Sequence, residues 1–479
     1  VASASQADSV DGLGYLFARN RGGADVWGFV EEFAPSGGLS DIRFGLALAI
    51  SGDTIVGGAP YDSEKGYASG AAYVFVRRGA AWTEQGKALP GDPEYGNHFG
   101  QALAMSGDTL LVGTPGEDDW GTDSGAAYVM ERNEGGEDTW GQVKKLLTAP
   151  APYARMGSSV AIDVDTAVVG APGAAQAYVY LRNDDGEDEW GHFRTPSGVS
   201  GGKFGSSVAV SGDTIVVGAP SERHGGFDGA GAAYVYERNF GGADSWGLTT
   251  VLTATVDAGT GERFGGAVAI SGDTIVVGAY YDDAGAAYLF ERDHDGADGW
   301  HRVRKLTNSD AGGMDWFGHS VSISGDTVAV GAPFHGGSTG AAYVFERNWG
   351  GSADLWGQVR KLTASDATSS DHYFGWTVSI SVDTVAVGAY AVDAAGTDSG
   401  AAYVFERNTG GTDGWGQKDK LTPAGLVEYD WFGHSVAISG GQVVVGSPYD
   451  DDGASAAGSA YVFRLGAARV FMPLVLRAW

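Results

Sequence analysis

The chain has 479 residues, 60 acidic against 30 basic side chains, a formal charge of -30 and no cysteine. Such a balance disfavours nucleic acid and anionic membranes as partners, and the lack of thiols excludes a disulfide framework, a cysteine nucleophile and a thiolate zinc site. A hydrophobic share of 43% can bury a core, and 80 glycines among many Val, Thr and Tyr indicate short strands and tight turns, hence an all-β protein. No apolar run reaches the roughly 18 to 20 residues of a spanning helix. The start, VASASQADSV, has neither a basic nor an apolar leader region, which fits a mature chain whose signal peptide is gone and an extracellular or cell-surface location.

The first ten residues read as an arm. Residues 11 to 28, DGLGYLFARNRGGADVWG, then match the stretch from Gly340, GAAYVFERNWGGSADLWG, but lack what precedes it there. The missing part is a Phe-Gly lead, found at Phe44, Phe99, Phe204, Phe264, Phe317, Phe374 and Phe432, with Met156-Gly157 as a variant. Successive leads lie 55, 57, 48, 60, 53, 57 and 58 residues apart, a period that fits one four-stranded propeller blade with its loops. The repeats span residues 11 to 465, and 466 to 479 form an apolar tail.

Each module holds four strand-like pieces. The first, as in Ser435 to Ser439, alternates large and small residues. A Ser-Gly-Asp-Thr hairpin turn follows, then a nearly continuous apolar strand, TIVVGAP, which needs cover on both faces. Its proline (60, 115, 172, 220, 333 and 448) ends the strand, since it cannot donate to the ladder. The third strand, AAYVFER, leads into a turn of the form Asn-x-Gly-Gly-x-Asp, where Asn133, Asn239, Asn348 and Asn408 are expected to tolerate left-handed backbone. The fourth, WGQVRKLT at 356 to 363, carries Arg360 and Lys361 and is expected at the outer edge.

The FG lead, the GAP strand end and the following Gly-x-aromatic-Val-aromatic strand resemble the FG-GAP repeat of integrin α-subunit propellers and many secreted bacterial proteins. The resemblance implies a single β-propeller with the FG strand at the axis and the GAP, Tyr-Val-Phe and Trp strands following outward. Eight leads predict eight blades of four antiparallel strands; a seven-bladed ring with one displaced module is the alternative. Calcium-binding members join the FG and GAP strands by a D-x-D-x-D-G loop. Here the joint holds one carboxylate (Asp53, Asp108, Asp165, Asp213, Asp273, Asp326 or Asp383), too few oxygens for calcium, so that site is not carried over and no cofactor is required.

Weaker cation candidates are the acids after the GAP strand, Asp118 and Asp119 beside Glu117, and Asp450, Asp451 and Asp452; solvated loop tips are the plainer reading. The acidic runs at 183 to 188 and 293 to 298 read as variants of the third hairpin turn. His319 and His434 hold equivalent positions two modules apart, so they line the axis separately rather than share a metal. GTGERFG at 259 to 265 lacks the lysine and helix of a phosphate loop, and no catalytic motif appears. Recognition is the better expectation, because the loops after GAP and before FG vary most and should share one face. Aromatics beside acids there suit a glycan or protein partner: Tyr61, Trp120, Tyr281 with Asp282, Trp316, Tyr373 near Asp371, Trp431 and Tyr449. Trp316, Tyr373 and Trp431 could equally cap the blade core.

The pieces number thirty-three strands, one more than an eight by four ring accepts. The Trp27 segment is expected to give the last blade its outer strand, so that N- and C-terminal segments close the ring. GYLF (Tyr15, Leu16, Phe17) then competes with the C-terminal AYVF strand for one place. With the tail residues Val470, Phe471, Leu474, Val475 and Leu476, it is a candidate for pairing with a second copy, in a homo-oligomer or filament. The expected function is non-enzymatic binding, adhesion or extracellular assembly. The alternatives are a self-assembling structural protein and, below it, a hydrolase or lyase with a loop-built site.

Overall fold

The computed structural model describes residues 16–19, 27–28, 32–33 and 41–464, apart from 80, 135, 137–138, 184–188, 255–258, 295–298, 349–354, 368–371, 410, 412–413, 424, 440 and 452–457. Seven four-stranded antiparallel sheets and one six-stranded sheet stand round an axis, their inner strands touching in chain order and the last touching the first. This is an eight-bladed propeller. In the fourth blade the strands run outward as Ser207–Ser211, Thr214–Ala219, Ala232–Glu237 and Gly247–Leu252. The second strand is wholly buried in every blade, as its unbroken apolar run requires, whereas the inner strand is half-buried against the axis. A register shift between the third and fourth strands recurs in all seven four-stranded sheets and increases their twist.

The core is divided into eight clusters, each lying in the seam between adjacent blades. In one, Val216, Val235 and Leu252 of the fourth blade meet Phe264, Ile275, Tyr288 and Trp300 of the fifth. The lead Phe sits fully buried against the third-strand Tyr, with Phe264 and Tyr288 ring centres 5.3 Å apart. Met156 fills the same slot in the third blade, because an unbranched thioether adapts to a hole shaped for a ring.

The two glycines of the repeat are halves of one contact. A Cβ on Gly218 of the GAP strand would lie 2.1 Å from the carbonyl oxygen of Gly265, the FG glycine of the next blade. The same holds round the ring, ending with Gly446 against Gly45, at 2.1 Å. The FG glycine itself has φ near +90° throughout, from 88° at Gly45 to 94° at Gly433, a conformation closed to other residues.

On the opposite face, the Asp of each Ser-Gly-Asp-Thr turn is engaged by an arginine. Arg292 Nε lies 3.1 Å from Asp273 in its own blade, while its Nη2 donates to Thr214 Oγ1 of the preceding blade and its guanidinium stacks over Trp300. The indole Nε1 of Trp300 donates to Glu237 of the preceding blade at 2.8 Å. These arginines occupy the carboxylates of the turns that join first and second strands. Asn133, Asn348 and Asn408 adopt the expected left-handed backbone, but Asn239 does not, and its Oδ1 accepts from Asp244 N instead.

The eighth sheet corrects the strand count. Glu32–Phe33 pairs with Ser459–Arg464 in the register of an ordinary outer strand, Glu32 opposite Tyr461 as Lys145 is opposite Tyr128. Trp27–Gly28 does not join that strand. Leu16–Arg19 lies between them, parallel to Val462–Arg464, and Trp27–Gly28 pairs on its far side. Leu16 and Phe17 therefore do not compete with the C-terminal strand for one place: they lie beside Val462 and Phe463, whereas Glu32–Phe33 takes Ala460 and Tyr461. The described strands number thirty-four. Tyr15, Val470, Phe471, Leu474, Val475 and Leu476 lie outside the described residues, as do Asp371 and Asp452.

Gly218→Ala should destabilise the fold by about 1–3 kcal/mol, since backbone must move to admit the methyl group. Gly212→Ala, left-handed at 52° but with nothing within 4 Å, should cost only about 1 kcal/mol. Urea unfolding of both variants checks this, and equal midpoints would contradict the interlock.

Candidate functional site at the loop face

The loop after GAP and the loop before the next FG are hydrogen-bonded to each other and share one face, as in His98 N to Ala68 O (3.1 Å) and Trp431 N to Asp398 O (3.2 Å). The residue before each FG is left-handed in every blade: Arg43, His98, Arg155, Lys203, Arg263, Trp316, Tyr373 and Trp431, with φ between 51° and 62°. Local strain of this kind is held by a backbone hydrogen bond to the paired loop at His98, Arg155, Arg263, Tyr373 and Trp431. In chain order the residues before FG divide into four cations and a histidine, then three aromatics.

The aromatic half forms a continuous arc. Trp316 contacts Tyr281 (5.1 Å) on one side and Phe334 (4.1 Å) on the other; Tyr373 stacks on Tyr390 (5.3 Å), Tyr390 meets Trp431 (5.2 Å) and Trp431 meets Tyr449 (4.5 Å). Arg43 then lies over both Tyr449 (5.0 Å) and Tyr61 (4.2 Å), carrying the arc past the closing seam. Trp376 separates His319 (4.6 Å) from His434 (6.4 Å), so the histidines do not meet. Six of the candidate aromatics thus belong to one arc, and Trp316, Tyr373 and Trp431 fill seams, their rings half-buried and stacked on neighbours.

In the second to fourth blades the residues after GAP are Pro-Gly, Pro-Gly and Pro-Ser, which bring no ring to the seam. Glycine is required at 116 and 173, where a Cβ would meet the carbonyls of Gly96 (2.1 Å) and Tyr153 (1.8 Å). The result is an open cleft of about 390 Å³ walled by Tyr61, His98, Gln101, Asp123, Arg155 and Ser158. His98 Nδ1 donates to Pro60 O (3.2 Å), leaving Nε2 to the cleft, and Arg155 is 3.6 Å from Asp123. Exposed aromatics stand on both sides. Tyr67 and Tyr95, 66% and 74% exposed, stack at 5.1 Å on the loops beside His98. Trp120 and Tyr153, 52% and 62% exposed, stand on the loops beside Arg155, joined by Tyr153 N to Thr122 O (2.7 Å). Sequence reasoning named Trp120 but not Tyr67, Tyr95 or Tyr153, which carry no acid neighbour in a repeated position.

The acids beside these aromatics serve the loops. Asp282 is buried, accepting from Tyr288 Oη (2.7 Å) and facing Lys305 Nζ (2.8 Å), so it does not face a ligand with Tyr281. Asp450 is buried under Tyr461 Oη, and Asp119, Glu117 and Asp92 surround Lys145 Nζ at 2.7, 2.8 and 2.6 Å. An ammonium thus holds the place where a metal would otherwise be sought. Asp118 accepts from Asp123 N (2.6 Å) and Asp451 is exposed. Among the described residues no group of three or more His, Asp or Glu is arranged to hold a metal. Burial lowers the Lys145 ammonium, but the hydrogen bonds it donates to Asp119, Asp92 and Glu117 overcome it and hold the group above the usual lysine range. Burial also raises the hydroxyls of Tyr73, Tyr343 and Tyr403, and their carboxylate partners add to it.

Lys145→Met should cost roughly 3 kcal/mol by stranding Glu117, whose side chain is 1% exposed, and adding Glu117→Gln should restore part of it in urea unfolding. Burial lowers the His434 imidazole to about 4. The unfolded chain takes up that proton near pH 6.5 and the folded chain only near pH 4, so stability falls as pH drops through this window. His434→Phe should remove on the order of 2 kcal/mol of that loss; unchanged pH dependence of the urea midpoint would refute it.

A solved structure described as a protein from Lactobacillus plantarum is similar over 78% of this chain and 98% of its own, at 15% identity and a TM-score of 0.45. The FG-GAP repeat matches eight times, at residues 27–75, 82–130, 140–182, 195–236, 246–290, 300–345, 356–405 and 415–463. With most of its length in these matches and the repeat glycines locked blade to blade, the chain belongs to the FG-GAP repeat family.

Proposed function

We propose that this propeller is a non-enzymatic recognition module, secreted or displayed at a cell surface, that captures a glycan or protein partner on its loop face. The observation that carries the reading is that Tyr67, Tyr95, Trp120 and Tyr153, all more than half exposed, stand on the loops that bear the cleft residues His98, Asp123 and Arg155. Large exposed rings on a rigid scaffold supply contact area at little conformational cost. A catalytic reading has less behind it, since the buried carboxylates of Asp62, Glu222, Asp282 and Glu117 near this face are tied to tyrosine hydroxyls or lysine. The structural reading, a filament linked through terminal strands, is weakened because Leu16 and Phe17 belong to a strand that has partners in its own chain.

Glycan-array and pull-down capture with the wild type and a Trp120→Ala/Tyr95→Ala variant tests the proposal. Capture should fall at least tenfold in the variant with the thermal midpoint unchanged. Capture that ignores both rings would end the reading.

A further inference from the structure

Resting on that reading, we infer that the cleft and the rim beside it bind an acidic polysaccharide, one carboxylate per sugar unit. Arg155 presents a guanidinium, 63% exposed, at the cleft wall, and its contact to Asp123 at 3.6 Å is too long and solvated to hold it back from a ligand carboxylate. A planar guanidinium takes a carboxylate through two parallel N–H donors. Tyr61, held by Arg43 (4.2 Å) and His98 (4.8 Å), walls one side, and Gln101 and Ser158 offer polar groups to a sugar's hydroxyls. The volume of about 390 Å³ lies at the small end of ligand sites.

The rim continues the same chemistry. Lys203 is exposed at the equivalent position one blade on, and Arg263, whose Nη1 donates to Ser221 Oγ at 2.5 Å, stands one blade further. Cations therefore recur once per blade, with Pro-Gly or Pro-Ser between them, a sparse charge pattern that suits one carboxylate per sugar. Polyphosphate is far denser and would meet the net charge of -30 beyond the local rim, whereas screening over about 8 Å confines a sparse polyanion to its neighbours. A peptide bound as an added strand would need a free edge, and the inner strands here are paired on their ladder side and packed on neighbouring blades.

The probe is a trisaccharide of galacturonic acid, titrated calorimetrically against its fully methyl-esterified counterpart and a single-stranded oligonucleotide. The acid should bind, the ester at least tenfold more weakly, and added salt should weaken the acid alone. Arg155→Gln and Lys203→Gln should each lose roughly tenfold, while Arg155→Lys, which keeps the charge but not the paired donors, should lose less than Arg155→Gln without reaching wild-type binding, and all three should keep the wild-type thermal midpoint. Equal binding of acid and ester, equal binding of the oligonucleotide, no binding of the acid, or indifference to both glutamine variants would overturn the inference. Should a neutral glycan or a protein still be captured through Trp120 and Tyr95, the recognition reading survives and only the acidic ligand is lost.

Discussion

Everything in this molecule hangs on the contact of one glycine with another. The GAP glycine admits the carbonyl of the next blade's FG glycine because neither has a Cβ, and eight such contacts set the spacing of the inner strands. At that spacing the lead Phe reaches the neighbouring seam and the second strand is covered on both faces. Substituting either glycine forces backbone apart, so the motif is conserved within this chain by packing alone. The most variable residues are displaced to the loops, where spacing imposes nothing.

Charge follows the same division. A formal -30 looks like a surface awaiting cations, yet much of the acid is spent inside the ring. Turn aspartates hold third-strand arginines, and loop acids hold tyrosine hydroxyls and outer-strand lysines, so each blade is tied to its neighbour by charge on one face and to its own loop on the other. What is left unburied on the loop face is a basic rim in three blades beside an aromatic arc in the rest. The arc is filled and stacked upon itself; the rim is open because Pro-Gly follows the strand there.

Much of the fold could be read from the chain. FG and GAP spacing shows the number of blades, and the period-two inner strand and continuous second strand show their order outward. Tyr61, Tyr281, Trp316, Tyr373, Trp431 and Tyr449 were identifiable as members of one face, since they flank repeated positions. Their assembly into a self-stacked arc was not, because stacking joins residues of different loops and blades, as Tyr373 with Tyr390 and Tyr390 with Trp431. Tyr67, Tyr95 and Tyr153 escaped notice for another reason: their loop positions do not carry an aromatic in every blade, and only exposure in three dimensions marks them. The first strands were misjudged because counting assumes one outer partner per strand, and Ser459–Arg464 has two, Glu32–Phe33 at its start and Leu16–Arg19 at its end.

By itself, the sequence determined the module, its four strands and the glycines that join one module to the next, since these depend on local periodicity and on the absence of a side chain. Tertiary structure decided which acids are occupied, which rings are exposed and where the ring of seams stays open. Those are properties of neighbouring blades, and a residue in one module cannot record what the next module places against it.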